Sequence, residues 1–264
     1  MTKRFTKERR EHIHDLILER KRVTVKQLSE ELDVSEVTLR TDLKEMEKEG
    51  LLTRTHGGAI MKEPTTPTGS FKKRSETNLK EKQIIAKRAL SLIEDKSCIL
   101  LDASTTALEL AKEMKNLNMK LTIMTNGMSS AIELKENPYF NVILIGGILR
   151  PGSMALEGSV GIQAMDMLNN IDLLFTSSSG FSCESGFSCE SGLTDFNFYE
   201  TDLKKNMVQR AKHVVALLDH SKFNTNSISS FVTLEEIDTI ITDHVVEETT
   251  AEKIKAANVH LIDY

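Results

Sequence analysis

Cysteine is scarce, long apolar runs are missing and no close-set group of metal-ligating side chains occurs, and each gap closes off a class of protein. Three cysteines, Cys98, Cys183 and Cys189, are too few and too oddly spaced for a disulfide framework, so a reducing cytoplasm is the simplest compartment. No apolar run approaches the roughly 18 residues that span a bilayer. The basic start MTKRFTKERREH has no apolar stretch behind it, so neither a membrane span nor an export signal is expected. Neither H-x-x-x-H nor C-x-x-C occurs, and no metal and no cofactor are expected. Proline appears four times, twice between residues 61 and 80.

What is present is ordinary globular composition. The 264 residues are 39% hydrophobic and 28% charged, which excludes disordered, collagen-like and membrane chains. The length accommodates a small domain plus one of about 150 to 200 residues. Its 34 basic and 39 acidic side chains leave a net charge of -5, which taken whole does not point to nucleic acid.

Along the chain the charge is uneven. Residues 1–29 carry nine basic side chains against four acidic ones, whereas beyond residue 59 there are 21 basic and 27 acidic. In the basic segment, Ile13, Leu16 and Ile17 form one apolar helical face. Thr24 followed by Gln27 is a capping-box signature opening a helix over Val25–Leu32. Asp33 and Val34 make a tight turn, Ser35 is a favoured N-cap for a third helix over about 36–49, and Gly50 follows its end. Two short helices so joined are a helix-turn-helix.

At 100° per residue the third helix turns Leu39, Leu43 and Met46 inward and Val37, Arg40, Thr41, Lys44 and Lys48 outward. Cations suit phosphates and guanine edges, and Val and Thr suit thymine methyls and hydroxyl contacts, so this face fits a major groove better than plain solvent. GLLTRTHGGAI (50–60) reads as a strand, a hairpin turn at Gly57-Gly58 and a returning strand, a wing that lays Arg54 and His56 along the DNA backbone or minor groove.

The run VSEVTLRTDLKEMEKEGLLTRTHGGA resembles the N-terminal winged helix-turn-helix of DeoR-type bacterial transcriptional regulators, whose motif runs V-S-x-x-T-hydrophobic-R-basic-D-L to R-x-H/Y-G-G-A. Thr41 stands where that family usually has a second basic residue, which bears on half-site preference or phosphate contact. The expected DNA-binding residues are Ser35, Val37, Thr38, Arg40, Thr41, Lys44, Arg54 and His56.

Residues 61–80, with no apolar period, read as a linker. Beyond it, apolar runs at 98–102, 121–126, 142–147, 173–180, 213–219, 239–243 and 258–263 alternate with helical patterns such as Ala107 to Met114 and Tyr199 to Ala211. This alternation predicts a largely parallel sheet covered by helices, with ligands at the carboxyl ends of the strands. At those ends stand Asp102, Ser104, Thr105 and Thr106, then Thr125, Asn126 and Gly127, then Gly146 and Gly147, and later Asp195 and Lys222. Small hydroxyl residues at helix starts suit a phosphate, and the carboxylates suit sugar hydroxyls.

The resemblance continues here through D-x-S/G-T-T, T-N-G, I-G-G-x-x-R, E-G, G-L-T-D-x-N-x-x-E and D-x-S-K-F, the motifs of the DeoR-type effector domain, and adds Arg150, Gly158 and Glu200 to the expected effector site. It implies an α/β chain: an N-terminal winged helix-turn-helix (1–60, with the helix-turn-helix about 22–41 and the wing 50–60), the linker, and a Rossmann-like, ribose-5-phosphate-isomerase-like α/β effector domain (81–264). It also implies a repressor of a sugar-utilisation operon, relieved by a phosphorylated sugar. The partners would be operator DNA, that effector and further copies of the chain, as a homodimer or homotetramer. An activator of the same architecture stays open. So does a sugar-phosphate isomerase with a DNA-binding appendage, for which Glu200, Asp102 or Asp195 would be the base.

SGFSCE occurs twice in tandem, at 179–184 and 185–190, and reads as a lengthened surface loop. A redox pair between Cys183 and Cys189 is disfavoured by the neighbouring Glu184 and Glu190.

Overall fold

The computed structural model describes residues 9–10, 12–13, 16–17, 20, 22–48, 52–55, 57–61, 71–166, 170–183 and 192–263. The chain divides into two compact units, Met1–Thr66 and Pro67–Tyr264.

The first unit holds β1 (Arg22–Thr24), α1 (Val25–Leu32), α2 (Glu36–Lys48), β2 (Leu52–Thr55) and β3 (Gly58–Met61). The capping box forms as expected: Thr24 Oγ1 accepts the Gln27 N–H at 3.2 Å, and the Thr24 N–H donates to Gln27 Oε1 at 3.0 Å. Asp33 turns the chain in the left-handed region (φ 54°). Ser35 Oγ then accepts the Thr38 N–H at 3.3 Å, so α2 starts where the N-cap placed it. Ile13, Leu16 and Ile17 pack with Leu28, Leu39, Leu43 and Met46 in one buried cluster.

The strands pair in the order β1-β3-β2. Gly58 is a correction to the expected turn: it lies in β3, paired with Thr55 and Thr24, so the two residues between the paired strands are 56 and 57. A Cβ on Gly58 would sit 2.0 Å from the Val23 carbonyl oxygen, and only glycine lets the strands approach so closely. Part of the basic excess is also spent internally. Arg9 and Arg10 reach the buried Asp42 at 2.6 and 3.1 Å, and Arg20 pairs with Glu31.

The second unit runs α3 (Phe71–Glu76), α4 (Leu79–Ala89), β4 (Cys98–Leu101), α5 (Thr105–Met114), β5 (Leu121–Thr125), α6 (Met128–Leu134), β6 (Phe140–Leu144), β7 (Ile148–Leu149), β8 (Leu156–Glu157), α7 (Ser159–Met165), β9 (Ile171–Thr176), β10 (Gly180–Ser182), β11 (Gly192–Asp195), α8 (Phe198–Arg210), β12 (Ala211–Leu218), β13 (Ser229–Thr233), β14 (Thr239–Thr242), α9 (Glu248–Ala256) and β15 (His260–Ile262). Seven strands form one parallel sheet in the order β15-β14-β12-β9-β4-β5-β6, and they correspond to the seven apolar runs read from the sequence.

Central strands are buried on both faces, as a covered parallel sheet requires. Ile99, Leu101, Phe175 and Leu217 pack on one side with Ile85 of α4 and Leu110 of α5. Their chain neighbours Leu100, Leu174 and Leu218 pack on the other side with Leu203 and Met207 of α8. The expected linker is partly structured, because α3 and the start of α4 fall within 71–80. The small sheet β10-β11-β13 and the β7–β8 ribbon carry no apolar run long enough to announce them. The first SGFSCE copy contributes β10, which is buried rather than a surface loop. The second copy and Cys189 lie outside the described residues.

Candidate functional site

The sheet order places β5 and β6 on one side of β4 and β9, β12, β14 and β15 on the other. The strand order therefore reverses between β4 and β9, and ligands of such sheets bind outside the carboxyl ends of the strands at that point. A cavity of about 240 Å³ opens there. Its floor is Ser104, Thr105 and Thr106, where β4 passes into α5, and Ser177, Ser178 and Ser179, which follow β9. Ser104 caps α5, its Oγ accepting the Ala107 N–H at 3.1 Å.

Asp195 at the end of β11, Glu200 and Lys204 on α8, and Asp219, Ser221 and Lys222 after β12 form the walls, with Arg74, Thr77, Asn78 and Lys82 from α3 and α4. Of the expected effector residues, Ser104, Thr105, Thr106, Asp195, Glu200 and Lys222 thus meet around one space.

Asp102 lies beneath this space rather than in its lining. It is fully buried, accepting the Ser104 and Ser177 N–H groups at 2.9 Å each and the Thr176 hydroxyl at 2.7 Å, with Lys204 Nζ at 3.1 Å. Burial works against its charge, but Lys204 and these hydrogen bonds outweigh it and hold the carboxyl below its ordinary range. The second group, Thr125, Asn126, Gly127, Gly146, Gly147, Arg150 and Gly158, is also absent from the lining. That end of the sheet is occupied by the chain itself. Asn126 Nδ2 donates to the Leu156 carbonyl at 3.0 Å, the Met128 N–H to the Met154 carbonyl at 2.9 Å, and Thr125 Oγ1 accepts the Gly127 N–H. Gly147 lies against the Glu157 backbone, Gly158 opens α7, and Arg150 stacks 4.5 Å over the Tyr199 ring with Glu157 at 3.5 Å.

The electrostatics divide the cavity in two. Lys204 Nζ is committed, donating to Asp195 Oδ2 and the Ser177 carbonyl at 2.8 Å each, with Glu200 Oε1 at 3.8 Å. Burial opposes its charge, and Asp195, Asp102 and Glu200 together more than restore it, so its pKa rises. Glu200, sharing that cation with two carboxylates, is pushed up to about 7, first by burial and then by Asp195 against the pull of Lys204. On the other side, Arg74, Lys82 and Lys222 converge without an ion pair to any described carboxylate. Lys82 is buried, its Nζ donating to the Arg74 and Thr77 carbonyls at 2.5 and 2.7 Å. Its pKa falls to about 8, through burial above all, with Lys222 and Arg74 adding to the fall and Asp219 opposing it. Arg74 Nε is buried without a hydrogen-bond partner.

Arg74, Asn78, Lys82 and Lys204 were not singled out from the sequence. Arg74 and Asn78 stand in the stretch read as linker, and Lys204 shows only as the fourth residue after Glu200. Asn78 joins the site through Asp219 Oδ1, to which its Nδ2 donates at 3.0 Å.

In the first unit, α2 shows Val37 to solvent at 75% exposure, with Arg40, Thr41 and Lys44 also exposed and Leu39, Leu43 and Met46 beneath. Arg40 pairs with Glu36, one turn back at 3.2 Å, and both side chains are about half exposed. The Thr41 hydroxyl donates to the Val37 carbonyl, and the Ser35 and Thr38 hydroxyls lie 2.9 Å apart. Arg54 is exposed on β2, its N–H donating to Glu47 Oε1 at 2.8 Å. His56 lies outside the described residues.

Residues 9–65 match the DeoR-like helix-turn-helix domain, and residues 77–244 match the DeoR C terminal sensor domain. The chain belongs to the DeoR family of transcriptional regulators. Over 253 residues, 96% of each chain, it is 41% identical to the HTH-type transcriptional regulator GolR of Listeria innocua. It is 32% identical to the putative aga operon transcriptional repressor of Escherichia coli O157:H7 over 97% of this chain and 93% of that one. With the glycerol-3-phosphate regulon repressor of Escherichia coli K12 it shares 29% over 89% and 90%. These DeoR relatives are regulators of transcription, and the chain is a regulator rather than an isomerase. The solved ribose 5-phosphate isomerase A of Methanocaldococcus jannaschii overlaps 56% of this chain and 55% of its own at 17% identity and a TM-score of 0.39. No helix among the described residues is long and apolar enough to cross a membrane.

Proposed function

We propose that this DeoR-family regulator is a repressor of a sugar-utilisation operon and that a phosphorylated sugar entering the cavity releases it from its operator. The observation that carries the reading is the trio Arg74, Lys82 and Lys222. Three cations converge on one space, one of them buried and already losing its proton near pH 8. A dianionic phosphate relieves both their mutual repulsion and the cost of burying Lys82. Opposite them, Asp195, Glu200 and the serine and threonine hydroxyls supply acceptors and donors for the hydroxyls of a sugar. The names of the aga operon and glycerol-3-phosphate regulon repressors agree with the repressor sign. Contact with DNA is assigned to Ser35, Val37, Thr38, Arg40, Thr41, Lys44, Arg54 and His56.

Thermal melting in the presence of sugar phosphates and their unphosphorylated parents tests the ligand class. A ligand at 100 times its Kd stabilises by about 2.7 kcal/mol, a rise of roughly 5–10 °C in Tm for a unit of this size. Only phosphorylated sugars should produce it. Binding needs Lys82 protonated, so affinity should weaken as pH rises through 8, and Lys222→Ala should weaken it about tenfold or more. Equal shifts with unphosphorylated sugars would remove the phosphate from the account.

A further inference from the structure

We propose that the outer edge of β6, together with the β7–β8 ribbon and the start of α7, is the surface through which two copies of the chain join.

β6 ends the seven-stranded sheet, so one of its edges has no strand against it among the described residues. On the central strands β4 and β9 consecutive residues are buried on opposite faces. On β6, Phe140 and Val142 pack against the core, but the consecutive residues Ile143 and Leu144 at its end are 38% and 44% exposed, so the end of the strand is open on both faces. Ile148, Leu149 and Val160 follow at 60%, 47% and 58%. The three segments adjoin. Ile148 and Leu149 pair with Glu157 and Leu156, and Gly161 of α7 packs so closely on Gly146 that a Cβ would lie 2.9 Å from its carbonyl oxygen.

The segment that builds this surface is also poor in charge. Residues 137–165 contain two charged side chains in a chain where 28% are charged. Those two, Arg150 and Glu157, lie 3.5 Å apart, and Glu157 is buried. The usual guards of an exposed edge are lacking, since β6 carries neither lysine nor proline along its five residues.

A second copy of the chain fits this surface on two grounds. The body beyond residue 59 is acidic by six charges, so a surface poor in charge is where two such bodies approach with least repulsion. A strand edge pairing antiparallel with its own copy also satisfies a two-fold axis, making one surface complementary to itself. The choice of partner draws further on the DNA reading, because one helix-turn-helix per chain reads one half-site and paired half-sites call for two chains.

Sedimentation velocity of the full chain from about 1 to 50 µM tests the proposal. The expected mass is a multiple of 29.6 kDa. The double variant Ile148→Lys, Val160→Glu should fall to the single-chain mass with unchanged circular dichroism, whereas Val245→Lys, 66% exposed outside the patch, should sediment as the parent does. Hydrogen exchange on the unmodified chain gives a reading that does not depend on the variant folding: amides of residues 140–149 should gain protection as concentration rises. A chain that is monomeric throughout, a double variant of parental mass, or protection unchanged over 140–149 overturns the surface. Association through another face does so too, while leaving the reading of a sugar-phosphate-released repressor intact.

Discussion

Glu200 shows how one side chain ties the cavity to solution conditions. Its folded pKa of about 7 stands above the ordinary 4.5 because burial and Asp195 disfavour its charge. A raised carboxyl contributes stability that is complete below 4.5 and is lost as pH rises through 7. The shift corresponds to at most about 3 kcal/mol. Glu200→Gln cannot ionise, so urea unfolding from pH 5 to 8 should show the parent losing stability relative to the variant by up to that amount. Parallel stability curves would contradict the burial argument. Single residues were legible in the sequence where a spacing or a strand end marked them, as with Ser104, Asp195 and Lys222. Lys204 was not legible, because nothing local distinguishes a lysine that neutralises a buried acid from one that faces water. Asp102 was found, but in the wrong layer: a carboxylate following a strand reads the same whether it faces a ligand or accepts three hydrogen bonds from its own fold.

Among elements, the strands and caps were the most legible, since β-branched runs, the Thr24–Gln27 box and the Ser35 cap are local signals. Elements defined by remote contacts were not. α3 is held in part by a hydrogen bond from the Phe71 N–H to the Gly152 carbonyl, far along the chain, and its six residues are too few to show a period. The T-N-G and G-G motifs likewise read as ligand loops because the sequence does not show that residues 154–158 fold back over them. The wing supplies an element-scale test. Gly58 faces the β1 backbone, while a Cβ on Gly57 meets nothing within 4 Å. Gly58→Ala should destabilise the first unit by about 1–3 kcal/mol or more and weaken operator binding, and Gly57→Ala should change stability by less than about 0.5 kcal/mol. Equal melting of the two variants would contradict the β1–β3 contact.

For the whole molecule, net charge misleads in both directions. The total of -5 hides a basic end, and the basic end is itself less free than a count implies, because Arg9, Arg10 and Arg20 are held in ion pairs. On the proposed reading operator affinity should rest on the remaining cations and on α2, and it should fall steeply with salt as phosphate contacts are screened. Release by an effector requires only that the ligand bind more tightly to the arrangement that does not hold DNA, and the coupling is reciprocal. The most direct measurement is fluorescence anisotropy of a labelled operator fragment bound by the full chain at about 150 mM salt, titrated with the sugar phosphate that most raises the melting temperature. The account predicts release of the DNA by that compound and not by its unphosphorylated parent, with the response lost in Lys222→Ala although that variant still binds operator. An operator complex indifferent to every phosphorylated sugar that binds the cavity would contradict it.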